Sequence, residues 1–323
     1  MILFDPIIFS LQKNGGVSIY FNNLISHASS LGCDYKICQN HGRVFERYRD
    51  CLVSERKGVF HSSYYRLPSQ RHHAIVTTVH DFTYEKFNRG PAQWVHTWQK
   101  NRAIKNSDVI ICVSQNTAND LMEFCKVDES RVRIVYNGVS DTYRQLPQNN
   151  SVNKHKNIVL FVGARGGYKN FSLAVETVSR VPDLDLHIVG GGKLTPNEKK
   201  LLDQLLPHKY KWLGWLDNEE LNEAYNNAYA LIYPSSYEGF GIPIIEAMRA
   251  GCPVVAVNAS SIPEVAGDAA ILVETPVVSS FVEALEGIAA NRDKIVNAGL
   301  YQAAKFSWQR CFEETNAIYK ELI

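Results

Sequence analysis

Two glutamates, Glu238 and Glu246, stand eight positions apart, with a Gly-Phe-Gly turn and Pro243 between them. A proline suits the first turn of a helix, where its missing N–H is not needed, so we expect Glu238 on a loop and Glu246 on the helix that follows. The start of that helix offers free N–H groups and partial positive charge to an anion. The alternative is a plain glycine turn before an ordinary helix. The pattern favours a site for a phosphorylated ligand, formed by Glu238, Gly239, Phe240, Gly241, Ile242 and Glu246.

Two cations form a second candidate site after the apolar run 157–162, which is typical of a buried strand. Arg165 and Lys169 lie on the glycine-bearing loop that follows this run, just before a segment with helical spacing of apolar residues. Arginine can hold phosphate oxygens through two parallel hydrogen bonds, and lysine acts as a point charge. The pair can therefore neutralise a diphosphate leaving group, and a solvated basic loop is the alternative on these residues alone.

Glycines also follow other predicted strands. Gly15 and Gly16 precede a helical segment near the amino terminus, where a backbone without side chains either approaches a phosphate closely or serves as a connector. Gly190 begins a Gly-Gly-Gly-Lys run after the strand predicted at 184–189, but Thr195 stands where the dinucleotide fingerprint requires its third glycine. Gly214 lies in the strand predicted at 212–216. The run at Gly190 thus indicates a ligand loop that is not a dinucleotide site.

Histidines follow two predicted strands of the amino-terminal half. His80 and Asp81 come directly after the strand predicted at 74–79, and His61 and Arg66 follow the strand at 59–60. A histidine at such a position is by default a core residue. Asp81 can either fix the tautomer of His80 or cap a helix.

The elements that position these residues alternate between strands and helices, which predicts an α/β chain of two domains, each with an open parallel sheet covered by helices. The polar run 145–154 has the composition of a linker. We therefore expect a first domain at 1–150 and a second at 151–305, with a carboxyl-terminal helix at 306–323 that returns to the first domain. Two more helices are expected at 278–290 and 292–304.

Composition narrows the functional classes. No apolar run approaches the roughly 20 residues needed to cross a bilayer, and the amino terminus lacks a secretory signal, so we expect a cytoplasmic protein. Seven cysteines without a Cys-x-x-Cys pair predict reduced thiols. Residues 1–150 carry 18 Lys and Arg against 13 Asp and Glu, which suits an anionic acceptor or an anionic membrane surface. The sequence contains no polybasic run of the kind that binds nucleic acid.

The run 234–241, followed by Glu246-Ala247-Met248 and by residues 251–255, resembles the Glu-x7-Glu motif of retaining glycosyltransferases with the GT-B fold, and its flanks are similar to glycosyltransferase family 4. The resemblance spans most of the chain and is strongest from Ile158 to Val273. It implies two Rossmann-like, doubly wound domains that face each other across a cleft, the first for the acceptor and the second for a nucleotide-sugar donor.

The same resemblance implies roles for the residues above. His80 and Glu238 would contact the transferred sugar, Arg165 and Lys169 the diphosphate, and Glu246 the ribose. The remaining donor-binding positions would be Gly15, Gly16, Gly190, Gly214, Gly239, Phe240, Gly241 and Ile242. Neither a metal nor a cofactor is expected, because the cations and the helix start supply the positive field; the substrate would be a GDP-sugar or a UDP-sugar.

The implied function is retaining transfer of a hexose, with mannose favoured, to a glycan or polyprenyl-linked acceptor in O-antigen, capsule or lipopolysaccharide synthesis, with peripheral contact at the inner membrane as an option. Three alternatives stay open at this point. They are a sugar-phosphate glycoside synthase or phosphorylase of the same architecture, a nucleotide-sugar epimerase or NAD-dependent oxidoreductase, and a non-catalytic nucleotide-sugar-binding homologue.

Overall fold

The structure, a computed structural model, describes residues 1–12, 15–41, 43, 45–70, 72–147 and 157–323. It divides into two compact units, Met1–Gly138 with Ser307–Ile323 and Val139–Phe306. The division lies upstream of the predicted boundary at residue 150, and part of the predicted linker, residues 148–154, lies outside the described residues. Among the described residues no helix has both the length and the apolar character needed to span a bilayer.

The first unit contains a parallel sheet of six strands with helices between them. The strands are β1 (Ile2–Phe4), β2 (Tyr35–Ile37), β3 (Val59–Ser62), β4 (Ala74–Val79), β5 (Val109–Cys112) and β6 (Val132–Ile134). The helices are α1 (Ile7–Leu11), α2 (Gly16–Ser30), α3 (Thr83–Phe87), α4 (Pro91–Asn106) and α5 (Gln115–Cys125). The strand order is β2-β1-β3-β4-β5-β6, and every pair in it is parallel.

The second unit repeats this plan. Its strands are β7 (Ile158–Val162), β8 (Asp185–Val189), β9 (Tyr210–Gly214), β10 (Ala230–Tyr233), β11 (Val254–Val257) and β12 (Ile271–Val273). Its helices are α6 (Phe171–Ser179), α7 (Pro196–Leu205), α8 (Asn218–Asn227), α9 (Ile242–Arg249), α10 (Ile262–Ala266) and α11 (Val278–Ala303). The strand order is β12-β11-β10-β7-β8-β9, again parallel throughout.

The last helix, α12 (Trp308–Leu322), belongs to the first unit. Its side chains Phe312 and Tyr319 are fully buried in the core that also contains Phe4, Phe21 and Val76. At about 25 cal/mol per Å² of apolar surface removed from water, such burial is the main force holding this helix to the unit.

Two sequence predictions are wrong in detail. The helices expected at 278–290 and 292–304 form the single helix α11, because no proline or glycine separates them at residues 290–292. Strand β12, three residues long, was not among the predicted strands.

Each sheet has a point at which the strand order reverses. In the second unit the chain begins at β7, adds β8 and β9 on one side, and then returns to place β10 on the other side. The loops after β7 and β10 therefore lie side by side at the carboxyl edge of the sheet, which is where open α/β sheets bind ligands. In the first unit the corresponding neighbours are β1 and β3.

Candidate functional site

Lys169 and Glu238 meet at the strand reversal of the second unit. Lys169 lies in the loop after β7 and Glu238 in the loop after β10, and Lys169 Nζ donates a hydrogen bond to Glu238 Oε1 at 2.6 Å. The two side chains are only 17% and 11% exposed. The ring centroids of Tyr168 and Tyr233 lie 5.3 and 5.8 Å from the same ammonium group. The fold thus brings together a cation and a carboxylate that the sequence analysis placed in separate motifs.

The loop that carries Glu238 is held on both sides. On one side the Asn170 side chain donates to the carbonyl of Pro234 at 2.8 Å. On the other side the Glu238 N–H donates to Ser260 Oγ at 2.8 Å, and the Ser261 hydroxyl donates to the Glu238 carbonyl at 3.0 Å. Ser260 and Ser261 were not among the predicted site residues; the available signal was two adjacent hydroxyl residues shortly after β11. These bonds preset the position of the Glu238 carboxylate.

Helix α9 begins directly after this loop, as predicted. Pro243 lies in its first turn, and Gly241 precedes the helix with φ of 102°. A Cβ at Gly241 would also lie 3.2 Å from the Ile244 side chain, so both the backbone conformation and the available space favour glycine here. Within the first turn Pro243 has no N–H and the Ile244 N–H donates to the Gly241 carbonyl at 3.0 Å, so it is the positive end of the helix dipole that suits this end of α9 to an anion.

Glu246 lies on α9 and is half-buried. Its Oε2 accepts a hydrogen bond from the Tyr225 hydroxyl at 3.2 Å, and Tyr143 also contributes a hydrogen bond. Burial raises the pKa of Glu246 to about 7, while the two tyrosine hydrogen bonds act in the opposite direction. The group therefore changes charge close to neutral pH. Its role toward a ribose stays a prediction.

The Arg165 guanidinium is bonded to protein groups other than those around Lys169. Its Nε donates to Glu198 Oε1 at 3.0 Å, and its Nη1 and Nη2 donate to the carbonyls of Gly190, Gly192 and Lys193 at 2.8, 3.1 and 2.9 Å. The side chain is 2% exposed. The loop after β7 thus directs Lys169 toward β10 and Arg165 toward β8, on the opposite side.

The glycine run after β8 forms an unusual turn. Gly190, Gly191 and Gly192 all adopt the left-handed conformation, with φ of 80°, 69° and 73°. A Cβ at Gly191 would lie 2.8 Å from the Gly163 carbonyl and would collide with the Arg165 guanidinium. The Gly190 N–H donates to the Gly214 carbonyl at 2.6 Å, which joins the ends of β8 and β9. The predicted donor-binding glycines Gly190 and Gly214 therefore lie together.

In the first unit His80 is half-buried, and its ring meets that of Tyr20 edge-on at 5.0 Å. Its Nε2 has no hydrogen-bond partner among the described residues. Burial lowers the pKa of His80 to about 4, which keeps the imidazole neutral at pH 7. Asp81 Oδ1 accepts from the Thr83 N–H at 2.9 Å in the turn before α3, whose N-cap is Phe82 and not Asp81.

His61 is a core residue. Its Nδ1 lies 2.5 Å from the Tyr319 hydroxyl and its Nε2 lies 2.8 Å from Thr78 Oγ1, so both ring nitrogens are engaged. Gly15 precedes α2 and Gly16 is its first residue. Their role toward a donor stays a prediction. Within the described ranges no cluster of three or more His, Cys, Asp or Glu side chains could hold a metal ion.

Comparison with known proteins identifies the family. Residues 143–305, just over half of the chain, match the model of Glycosyl transferases group 1, and residues 54–143 match that of Glycosyltransferase Family 4. O-antigen chain mannosyltransferase B of Escherichia coli is 40% identical over 115 residues, which cover 35% of this chain and 30% of that protein. O-antigen chain mannosyltransferase RfbU of Salmonella typhimurium is 27% identical over 248 residues, which cover 75% of this chain and 68% of that protein.

Solved structures show the same architecture. Sucrose-phosphate synthase of Thermosynechococcus elongatus superposes with a TM-score of 0.80 at 17% identity, over 99% of this chain and 98% of that one. This likeness confirms the predicted fold class, GT-B with two Rossmann-like doubly wound units. The matches span 30%, 58% and 61% of the length of the first three curated relatives, which is less than two thirds in each case.

Proposed function

Because this chain belongs to the group 1 glycosyl transferases, we propose that it is a retaining glycosyltransferase that moves a hexose from a GDP-sugar or a UDP-sugar. Mannose is the proposed hexose, since two curated relatives are named O-antigen chain mannosyltransferases. The proposed acceptor is a glycan or a polyprenyl-linked glycan in the synthesis of a surface polysaccharide. The reaction would use no cofactor.

The pairing of Lys169 with Glu238 carries this proposal. A 2.6 Å ion pair at the strand reversal, beside the start of α9, places positive and negative groups where open α/β sheets receive their ligands. The ammonium group and the positive end of the α9 dipole would face the negative charge that develops on a departing diphosphate. Groups that are held in place before the reaction stabilise such charge without the cost of reorganising solvent.

The proposed chemistry needs no nucleophile from the protein. The bond between the anomeric carbon and the diphosphate oxygen breaks, and the acceptor oxygen bonds to the anomeric carbon on the same face. The acceptor proton passes to the departing phosphate oxygen. Glu238 would orient the sugar, Glu246 would accept hydrogen bonds from the ribose hydroxyls, and neutral His80 would contact the sugar.

A panel of nucleotide sugars tests the proposal. Thermal shifts with GDP-mannose, UDP-glucose, ADP-glucose and dTDP-glucose should show stabilisation by one nucleotide class, by about 2.7 kcal/mol at 100 times the dissociation constant. Turnover of that donor, followed by NMR of the product, should give the donor's own anomeric configuration. An inverted product, or no shift with any nucleotide, contradicts the proposal.

Metal dependence is a separate test. If Lys169 and the start of α9 supply the positive field, turnover should persist in excess EDTA. Loss of activity that Mn²⁺ or Mg²⁺ restores would contradict this role. Turnover measured without EDTA, in buffer that contains Mg²⁺, gives the reference rate.

Peripheral membrane contact is proposed at α4, whose faces are reversed relative to an ordinary surface helix. Trp94 and Trp98 are 70% and 61% exposed, one turn apart, whereas His96, Gln99 and Lys100 are buried on the inner face. Tryptophan favours the interface between membrane and water. The excess of basic residues in 1–150 adds attraction to an anionic leaflet, about 1 kcal/mol for each basic group near the surface.

Vesicle flotation tests this contact. The chain should float with vesicles of phosphatidylglycerol and phosphatidylethanolamine, and less with phosphatidylcholine alone. Trp94→Ser with Trp98→Ser should reduce flotation severalfold, because interfacial burial of both rings is lost. Tyr301→Ser, which removes a 74% exposed ring from the second unit, serves as the control. Equal flotation of the double variant and the wild type would contradict the proposal.

A further inference from the structure

We propose that Arg165 is a positioning residue for the turn Gly190–Lys193, and that it is not a ligand of the donor diphosphate. Its effect on the donor passes through the main chain of that turn. This inference rests on the proposed function, since it assumes that the carboxyl edge of the second sheet receives a nucleoside diphosphate sugar.

The Arg165 guanidinium group is occupied by hydrogen bonds within the protein. A guanidinium carries five N–H donors in a fixed fork. Four hydrogen bonds run from this group to Glu198 and to the carbonyls of Gly190, Gly192 and Lys193. Glu198 also balances the positive charge at 3.0 Å, with the Arg165 side chain 2% exposed. To bind a phosphate, the side chain would have to leave all of these acceptors.

The turn gains a defined conformation from its bonds to Arg165. Gly190, Gly191 and Gly192 are all left-handed, and the carbonyls of Gly190, Gly192 and Lys193 converge on Arg165. Without the guanidinium these three carbonyls would lose a charged hydrogen-bond donor that holds them on one side. Arg165 therefore selects this conformation of a glycine segment that has many others available.

The backbone N–H groups of the turn point away from Arg165. In a trans peptide the N–H points opposite to the carbonyl of the same unit. Because the carbonyls of Gly190, Gly192 and Lys193 face Arg165, the N–H groups of Gly191, Lys193 and Leu194 point away from it. Successive backbone N–H groups of this kind make anion-binding concavities. The turn is the element that would meet the donor, and Arg165 supports it from behind.

Glu198 helps to hold the Arg165 side chain in place. Its Oε1 accepts from Arg165, while its Oε2 accepts from the Thr195 N–H at 2.7 Å in the capping box of α7. Glutamine is also accepted at this capping position. In Glu198→Gln the single amide oxygen can keep the helix cap, and the NH2 group then faces Arg165 Nε, so the bond to Arg165 is lost. This makes it a sharper variant than any removal of Arg165.

The experiment is a double-mutant cycle with GDP and UDP as probes. Calorimetry should give about tenfold weaker binding for Arg165→Met and severalfold weaker binding for Glu198→Gln. The double variant should resemble Arg165→Met alone, because both substitutions break one support. Glu219→Gln, which removes an exposed carboxylate from the first turn of α8, should bind as the wild type does.

A direct phosphate ligand predicts the opposite pattern. Glu198→Gln would then leave binding unchanged or make it tighter, because it removes a negative charge that competes for Arg165. Hydrogen exchange provides a readout that needs no nucleotide: the amide of Gly190, which donates to the Gly214 carbonyl at 2.6 Å, should exchange faster in both single variants. Unchanged exchange in Glu198→Gln and Arg165→Met overturns the inference. Failure of the wild type to bind either nucleotide contradicts the proposed function instead, and the exchange measurement still decides the role of Arg165.

Discussion

The carboxyl edges of the two sheets have the same topology but differ in how their polar groups are satisfied. In the second unit Lys169 and Glu238 are bonded to each other, and surrounding hydroxyl groups hold the loop. In the first unit Asp5 Oδ2, Arg66 Nε and His80 Nε2 are buried without a hydrogen-bond partner among the described residues. The second edge is therefore organised by its own contacts, whereas the first edge holds polar groups at a free-energy cost.

The largest expected effect lies in the first unit. Asp5 and Arg66 are 0% and 1% exposed, and Arg66 Nη1 lies 3.6 Å from Asp5 Oδ1, too far for a hydrogen bond. Asp5→Ala removes the nearest counter-charge of a buried guanidinium and should lower the free energy of unfolding by about 3–5 kcal/mol in urea denaturation. Asp5→Leu with Arg66→Met should recover most of this loss. Asp34→Ala, at a 79% exposed carboxylate, is the control; a similar small loss in both alanine variants would remove the contrast between the edges.

A second effect should appear in turnover and not in stability. Lys169→Ala removes the preset cation of the second edge and should raise the activation barrier by roughly 2.7–4 kcal/mol, or 10²–10³ in kcat. Lys200→Ala, at an exposed position of α7, should leave kcat unchanged. Near-normal kcat in Lys169→Ala with a folded protein would sink the donor-site assignment of this edge.

A smaller effect is expected at His80 of the first unit, on turnover and not on the binding of the free nucleotide. His80→Asn should reduce kcat about tenfold, equivalent to ~1.4 kcal/mol, and leave the dissociation constant of the free nucleotide unchanged. Because burial lowers the pKa of His80 to about 4, the wild-type rate between pH 6 and 8 should show no titration from this group. Weaker nucleotide binding in His80→Asn would be evidence against this division of roles.

The smallest expected effect concerns the pH dependence of stability. Burial raises the pKa of Glu246 to about 7, above its unfolded value of 4.5, so its contribution is fully present below pH 4.5 and is lost as the pH rises through 7. Solvent screening of a half-buried group limits the change to less than about 1 kcal/mol. Glu246→Gln should abolish this part of the pH dependence in denaturation series at pH 5 and 8. An unaltered pH dependence in the variant would place the titrating group elsewhere.

The sequence indicated most of the second edge because its determinants are local. A proline in the first helical turn and a glycine with positive φ before it are enough to place Glu238 on a loop and Glu246 on α9. The absence of the dinucleotide fingerprint, in which Thr195 replaces the third glycine, was likewise visible in the local sequence. The support for Arg165 was not visible in this way, since Thr195 and Glu198 indicate a helix cap and carry no sign of a distant guanidinium.

What the sequence determined by itself is the alternation of strands and helices, the glycine turns and the positions of the charged side chains along the chain. Tertiary structure decided which of them meet. Lys169 pairs with Glu238 because the strand order reverses between β7 and β10, and Arg165 faces Glu198 because β8 lies on the other side of β7. Spacing along a chain specifies faces and turns, whereas the neighbours of a strand depend on how the whole sheet buries its apolar faces.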